Sequence, residues 1–234
     1  MKRKRENMKL LFDCDGTLID SMGLWQKSMK ELIKKSGHNI DTMSEYDRVQ
    51  IESLSYEDCI KYIWERFVTG MSEKEVTAYF DSILENRYKN SIPEKKGAIE
   101  TIKSLHERGY EMAVASSNSS TLVKAALKRL GIHDCFKEFF TPDLTNLKKN
   151  QVEFWENTAK VLKTQTKNLI LFDDASYALE AAKKAGIKTC GVKDFPWNEN
   201  EWDEIKEIAD YAVDGIRDFD YKSIFKSHVN FKKG

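Results

Sequence analysis

What this 234-residue chain lacks narrows its possibilities first. It has no excess of either charge: Lys+Arg and Asp+Glu each number 38, for a formal net charge of zero. A protein that grips nucleic acid or an anionic membrane across its surface carries a basic excess, so neither partner is expected. It has no apolar run approaching the roughly 20 residues that a membrane-spanning helix needs. It has no Cys-x-x-Cys pair. Cys14, Cys59, Cys135 and Cys190 are far apart, which suits reduced, mostly buried thiols in a cytoplasm rather than a disulfide framework or a zinc site. His38, His106, His133 and His228 are equally scattered, without metal-ligand spacing or a serine partner. There is no internal repeat and no low-complexity tract. The basic leader, residues 1–7, is followed only by Leu10-Leu11-Phe12 before Asp13 intervenes. That run is too short for the apolar region of a signal peptide, so the leader is expected to be a solvated, disordered terminus.

What is present is a globular composition, 41% hydrophobic and 32% charged, in a chain long enough to build a core without covalent staples. Its organising stretch runs from Met8 to Ser21. A short apolar run, Leu10-Leu11-Phe12, ends abruptly in Asp13-Cys14-Asp15-Gly16-Thr17-Leu18. A buried parallel strand reads as a continuous apolar run, and ligands of parallel sheets bind beyond the carboxyl ends of the strands. Asp13 is therefore expected where a strand delivers a carboxylate to a crevice, with Gly16 permitting the sharp turn. The competing reading is that Asp13 only caps the segment that follows.

Residues 21–90 carry helical periodicity and no strand signal. Leu24, Trp25, Met29, Leu32 and Ile33 share one face. Ser55-Tyr56-Glu57-Asp58 reads as a capping box before Cys59, Ile60, Ile63, Trp64 and Phe67, and Ser72-Glu73-Lys74-Glu75 caps a further helix with Val76, Phe80, Ile83 and Leu84. Residues 40–50 are polar and give no assignment. After Ile92-Pro93 the pattern becomes an alternation of strand and helix. Strands are predicted at 110–115, 138–141, 169–172, 188–192 and 211–213, with a last long helix through Trp202, Ile205 and Ile208. That alternation predicts an α/β, Rossmann-like three-layer core with a parallel sheet, built from residues 8–20 and 91–234, with the helical block of 21–90 inserted after the first strand.

Three of the predicted strands end in reactive residues: Asp13 and Asp15, then Ser116-Ser117-Asn118, then Asp173-Asp174. In a parallel sheet these ends share one edge. Four carboxylates gathered there repel one another unless a cation neutralises them, and hard oxygen donors point to Mg²⁺. Ser116 opens a polar turn ahead of a helix, where its hydroxyl and free backbone N–H groups can hold a phosphoryl oxygen, or where it is a simple cap. Lys148-Lys149 lies ahead of the Phe154 helix and can offset charge on a phosphoryl group.

Taken together, these motifs resemble the haloacid dehalogenase superfamily in its phosphatase form, similar to its beta-phosphoglucomutase and phosphoglycolate phosphatase group. Asp13 to Leu18 resembles motif I, Ser116 after Met112-Ala113-Val114-Ala115 motif II, and Phe172-Asp173-Asp174 with its alanine-rich helix motif IV. Lys148 is the better match to the motif III lysine because Phe154 follows at the usual six-residue interval, although Lys149 stays open. The helical block matches the family's helical cap.

The resemblance implies that Asp13 is the nucleophile, forming an aspartyl-phosphate, and that Asp15 is the general acid and base. It implies Mg²⁺ on Asp13, on Asp15 through its carbonyl, and on Asp174, with Asp173 as ligand or close support. It also implies substrate contacts from Ser117 and Asn118, and from Trp25 and Tyr56 in the cap. An acid at Asp15 separates phosphate chemistry from the dehalogenases and phosphonatases of the superfamily. Tyr56 stands where the mutase group carries an arginine that orients a second phosphate, which argues against a phosphosugar mutase. The reading is a phosphatase of a small phosphorylated metabolite. A phosphosugar mutase and a non-catalytic phosphometabolite-binding protein are the alternatives.

Overall fold

The computed structural model describes residues 8–39, 42–53 and 56–226, and within them the side chains of 25, 26, 49, 52, 53, 56, 57, 225 and 226 are left aside. The basic leader expected at 1–7 and the capping Ser55 lie outside the described residues, as do the side chains of Trp25 and Tyr56.

Among the described residues, six parallel strands form one sheet in the order β3-β2-β1-β4-β5-β6: β1 (Lys9–Phe12), β2 (Met112–Ala115), β3 (Glu138–Phe140), β4 (Leu169–Asp173), β5 (Lys188–Val192) and β6 (Tyr211–Val213). The two middle strands pair in register, Leu11 with Leu171 and Phe12 with Phe172. Both are covered on two faces, which is why they read as unbroken apolar runs. Leu11, Ala113, Leu171, Phe154 and Trp155 fill the core on one face. On the other, Phe12 stacks on Phe172 at 4.9 Å, and Phe219 meets Phe172 edge-on at 5.0 Å.

The helices are α1 (Met22–Lys35), α2 (Glu45–Ser53), α3 (Tyr56–Phe67), α4 (Glu73–Asn90), α5 (Ala98–Glu107), α6 (Ser120–Arg129), α7 (Pro142–Thr145), α8 (Val152–Val161), α9 (Ser176–Lys184), α10 (Trp202–Ile208) and α11 (Ser223–Lys226). By internal contacts the chain divides into two compact units. One holds residues 1–20 and 93–234, and so all six strands; the other holds 21–92 and is helical among its described residues.

In the helical unit, α4 opens with the reciprocal cap expected from the sequence. Ser72 Oγ accepts from the Glu75 N–H at 3.4 Å, and the Ser72 N–H donates to Glu75 Oε2 at 2.8 Å. Such a cap satisfies two of the orphan donors at a helix start. Of residues 40–50, unassigned from the sequence, 45–50 fall in α2. Its first turn is organised by Asp47, whose carboxylate accepts from Ser44 Oγ at 2.5 Å and from Tyr62 Oη at 2.5 Å and pairs with the Arg66 guanidinium.

In the α/β unit the last long helix is shorter than predicted. α10 has seven residues, preceded by a single 3₁₀ turn, and the short α11 follows later. The backbone turns extended at Ala209, where β6 must begin two residues on. Gly191 in β5 accommodates this helix, since a Cβ there would overlap the Ile205 side chain.

Candidate active site

The carboxyl ends of β1, β2, β4 and β5 deliver the polar residues of one edge of the sheet. Asp13 follows β1 directly, with its N–H donating to the Phe172 carbonyl at 2.9 Å, so the sheet ladder itself fixes its position. Asp13 is 5% exposed, and among the described residues its carboxylate caps no helix. Instead Lys149 Nζ donates to Asp13 Oδ1 at 2.6 Å and forms an ion pair with Asp173 Oδ2, also at 2.6 Å. Asp173 Oδ1 accepts from the Ala175 N–H at 3.0 Å, and Asp174 Oδ1 accepts from Thr17 Oγ1 at 3.0 Å. One carboxylate oxygen from each of Asp13, Asp173 and Asp174 lies within 4.8 Å of the others.

The turn after β1 permits this convergence. Leu18 and Ile19 both donate their N–H to the Cys14 carbonyl, and Gly16 sits at φ 78°. A Cβ on Gly16 would overlap Asp174 Oδ2 and lie 2.8 Å from Asp194 Oδ2. Glycine is thus required twice, for the left-handed backbone and for the space.

Beyond β2, Ser116 is buried, and its Oγ accepts from the Asn118 N–H at 3.1 Å. The cap of α6 is Ser119, not Ser116, so the simple capping role does not apply to Ser116. Asn118 Nδ2 donates to Asp15 Oδ2 at 3.2 Å, joining the second strand end to the first. Ser117 is exposed and lies 3.0 Å from the Tyr177 hydroxyl.

The electrostatics follow from acids outnumbering cations. Burial pushes Asp13 up to about 8; Lys149 opposes that shift, and Asp173 and Asp15 add to it. Asp174 is held well above the usual carboxylate range by burial and then by Asp13, Asp173 and Asp194. Burial alone would lower Lys149, but Asp13 and Asp173 more than reverse this and keep its ammonium charged. A cavity of about 480 Å³ lined by Met8, Lys9 and Glu111 opens at the opposite, amino edge of the sheet and holds none of these groups.

The model of the haloacid dehalogenase-like hydrolase family matches residues 10–192. The chain belongs to that family. Among its relatives is the pyrophosphatase PpaX of Halalkalibacterium halodurans, 26% identical over 192 residues that span 78% of this chain and 82% of the relative. The phosphoglycolate phosphatase of Aquifex aeolicus is 27% identical over 185 residues, 77% of this chain and 82% of the relative. The solved beta-phosphoglucomutase of Clostridium difficile superposes with a TM-score of 0.66 at 19% identity, covering 95% of this chain and 97% of that one, and so shares the fold. The chain is an enzyme, a hydrolase of the phosphatase group of this family.

Set against the family's motifs, the geometry corrects one expectation. Lys148 does not reach the acidic cluster. It is exposed, and its backbone N–H donates to Gln151 Oε1 at 2.7 Å at the approach to α8. Lys149 points inward, 2% exposed, and its carbonyl accepts from Trp155 Nε1 at 2.9 Å. The six-residue interval counted from Lys148 to Phe154 applies equally from Lys149 to Trp155, and the buried indole is the partner that anchors the lysine.

Sequence reasoning also missed four residues at this HAD-like edge: Asp194, Lys95, Asn198 and Tyr177. Asp194 follows β5 by two residues, the same signal of an apolar strand running into a carboxylate that marked Asp13. It is 1% exposed and pairs through Oδ1 with Lys95 Nζ at 2.5 Å. Lys95, Asn198 and Tyr177 carried no comparable signal, because their roles depend on which loops the sheet brings together.

Proposed function

We propose that this chain is a Mg²⁺-dependent phosphatase that hydrolyses a small phosphate monoester, a sugar phosphate or similar metabolite, through an aspartyl-phosphate on Asp13. The observation that carries this reading is the convergence of Asp13, Asp173 and Asp174 oxygens within 4.8 Å at the strand ends, with Lys149 the only ammonium bonded to them among the described residues. Three hard oxygen donors in a small space, carrying more negative charge than Lys149 offsets, fit a Mg²⁺ ion. When bound, the ion lowers the repulsion between an incoming phosphate and the carboxylates and stabilises transition-state charge.

In this reading the Asp13 carboxylate attacks phosphorus, and Asp15 gives its proton to the leaving oxygen. Asp15 then takes a proton from the water that hydrolyses the aspartyl-phosphate. Asn118, hydrogen-bonded to Asp15, holds that carboxyl in place. Ser116 and the N–H groups of its turn receive a phosphoryl oxygen, and Lys149 balances charge on the transferring group. Asp15 and Asp174 complete the cation's ligands, and Ser117 joins Asn118 on the substrate side. The helical unit is taken as the cap that selects substrate, with Trp25 and Tyr56 as candidates named from the sequence alone. Two relatives are named a pyrophosphatase and a phosphoglycolate phosphatase, which supports testing pyrophosphate and phosphoglycolate as substrates. The structural likeness to a mutase is one of fold, and the absence of an arginine at Tyr56 supports hydrolysis.

The test is a panel of phosphate monoesters with pyrophosphate, read as phosphate released in Mg²⁺ and in EDTA. Release from at least one member, lost on chelation and restored by Mg²⁺, is expected. Isomerisation of a sugar phosphate without release favours the mutase. Turnover indifferent to EDTA removes the metal from the mechanism.

A further inference from the structure

Asp194 is a buried acid with half of its carboxylate unused. Oδ1 pairs with Lys95, but Oδ2 is buried and has no hydrogen-bond partner. The unused oxygen is aimed at the site: Asp174 Oδ2 and Asp194 Oδ2 both press on the space above Gly16 that a Cβ would fill. The loop is held in this pose by Asn198, which is 5% exposed and uses its whole side-chain amide. Its Oδ1 accepts from the Asp194 N–H at 2.9 Å, while Nδ2 donates to the carbonyls of Asp174 at 2.9 Å and Val192 at 3.0 Å. Asn198 therefore stitches the Asp194 loop to the end of β4 that presents Asp174.

We infer that Asp194 is a further cation-holding residue of the site, its Oδ2 accepting from a water on the bound ion, with Asn198 as the positioning residue that keeps it beside Asp174. This rests on the metal-dependent reading above and adds to it a residue from the loop that follows β5. An acid needed only to neutralise Lys95 would not have to bury its second oxygen against another carboxylate, since an unpaired buried acceptor and a like-charge neighbour are both costly. A hydrated cation removes both costs at once. Asp194 is not one of the three acids whose oxygens converge within 4.8 Å, and Mg²⁺ keeps several of its waters, so contact through a water suits its place. Groups of this kind commonly change metal affinity by about 10- to 100-fold when removed.

The full chain is titrated with Mg²⁺ by calorimetry and with Mn²⁺ by electron paramagnetic resonance, neither of which requires turnover. Asp194→Asn is expected to weaken binding about 10-fold or more, with circular dichroism in EDTA checking that the variant is folded. Lys95→Gln, which removes the charge opposing Asp194, is expected to tighten binding several-fold. That gain should vanish in the Lys95→Gln/Asp194→Asn double variant, because the lysine acts through Asp194. A folded Asp194→Asn protein with the wild-type Mg²⁺ affinity overturns the inference. If that variant does not fold, wild-type affinity in Lys95→Gln overturns it instead. A wild-type chain that binds no Mg²⁺ overturns this inference and the metal-dependent reading together, whereas equal binding by wild type and Asp194→Asn overturns this inference alone.

Discussion

Asp47 in the helical unit and Asp13 in the α/β unit are almost equally hidden, at 4% and 5% exposure, yet their surroundings treat them in opposite ways. Asp47 is supplied with donors: the hydroxyls of Ser44 and Tyr62 and the guanidinium of Arg66. The Ser44 and Tyr62 bonds hold its carboxyl below the usual range against a smaller effect of burial. Asp13 shares one lysine with Asp173 in a space that also holds Asp174, and burial with too little compensation pushes it up to about 8. The first arrangement is complete and holds two helices together. The second leaves a demand for positive charge, which is what the proposed chemistry would use.

Breaking the Asp13 side of this contrast should have the largest effect. Asp13→Asn is expected to lower phosphate release on the order of 10⁴-fold or more, as loss of a nucleophile does, without lowering the unfolding temperature in EDTA, because one crowded charge is gone. A near-native rate would sink the nucleophile assignment. Next comes Lys149→Met, which strands Asp13 and Asp173 in the interior. Removing one partner of a buried pair costs about 3–5 kcal/mol, to be read by urea unfolding in EDTA, and activity should fall with it. Retention of full stability would show that the carboxylates do not depend on this lysine.

On the other side, Asp47→Asn should leave turnover chemistry intact but destabilise the protein in a pH-dependent way. A carboxyl held below its ordinary value of about 4 contributes stability at higher pH and loses it as pH falls through the folded value. The gap in unfolding temperature between wild type and Asp47→Asn should therefore persist from pH 7 to 5 and close only below about pH 4. A gap that does not change with pH would mean that the hydrogen bonds matter and the charge does not. The smallest effect is expected from Lys148→Ala, within about 0.5 kcal/mol and with an unchanged rate, which tests directly whether the exposed lysine has any part in the site.

Much of the sheet was legible because β1 and β4 are buried on both faces, so Leu10-Leu11-Phe12 and Leu169-Ile170-Leu171-Phe172 stand out as apolar runs. The polar residues at their ends were legible for the same reason. α2 was not legible, because it is only nine residues long, exposes Tyr46 at 63% and buries an aspartate, which hides its period. The choice between Lys148 and Lys149 was not legible either. Adjacent lysines with aromatic residues six positions later are equivalent as strings, and only the backbone turn at Gln151 separates them.

By itself the sequence determined the parallel α/β core, the family, and the acids and serine that end the strands. These are consequences of local pattern, in which burial on two faces selects apolar runs and a strand end exposes the residue that follows it. Tertiary structure alone decided which lysine enters the acidic cluster and that β5 contributes Asp194. It also decided that Asn198 links Asp194 to Asp174. Those outcomes depend on which loops meet beyond the sheet, a matter of three-dimensional proximity that no spacing along the chain encodes.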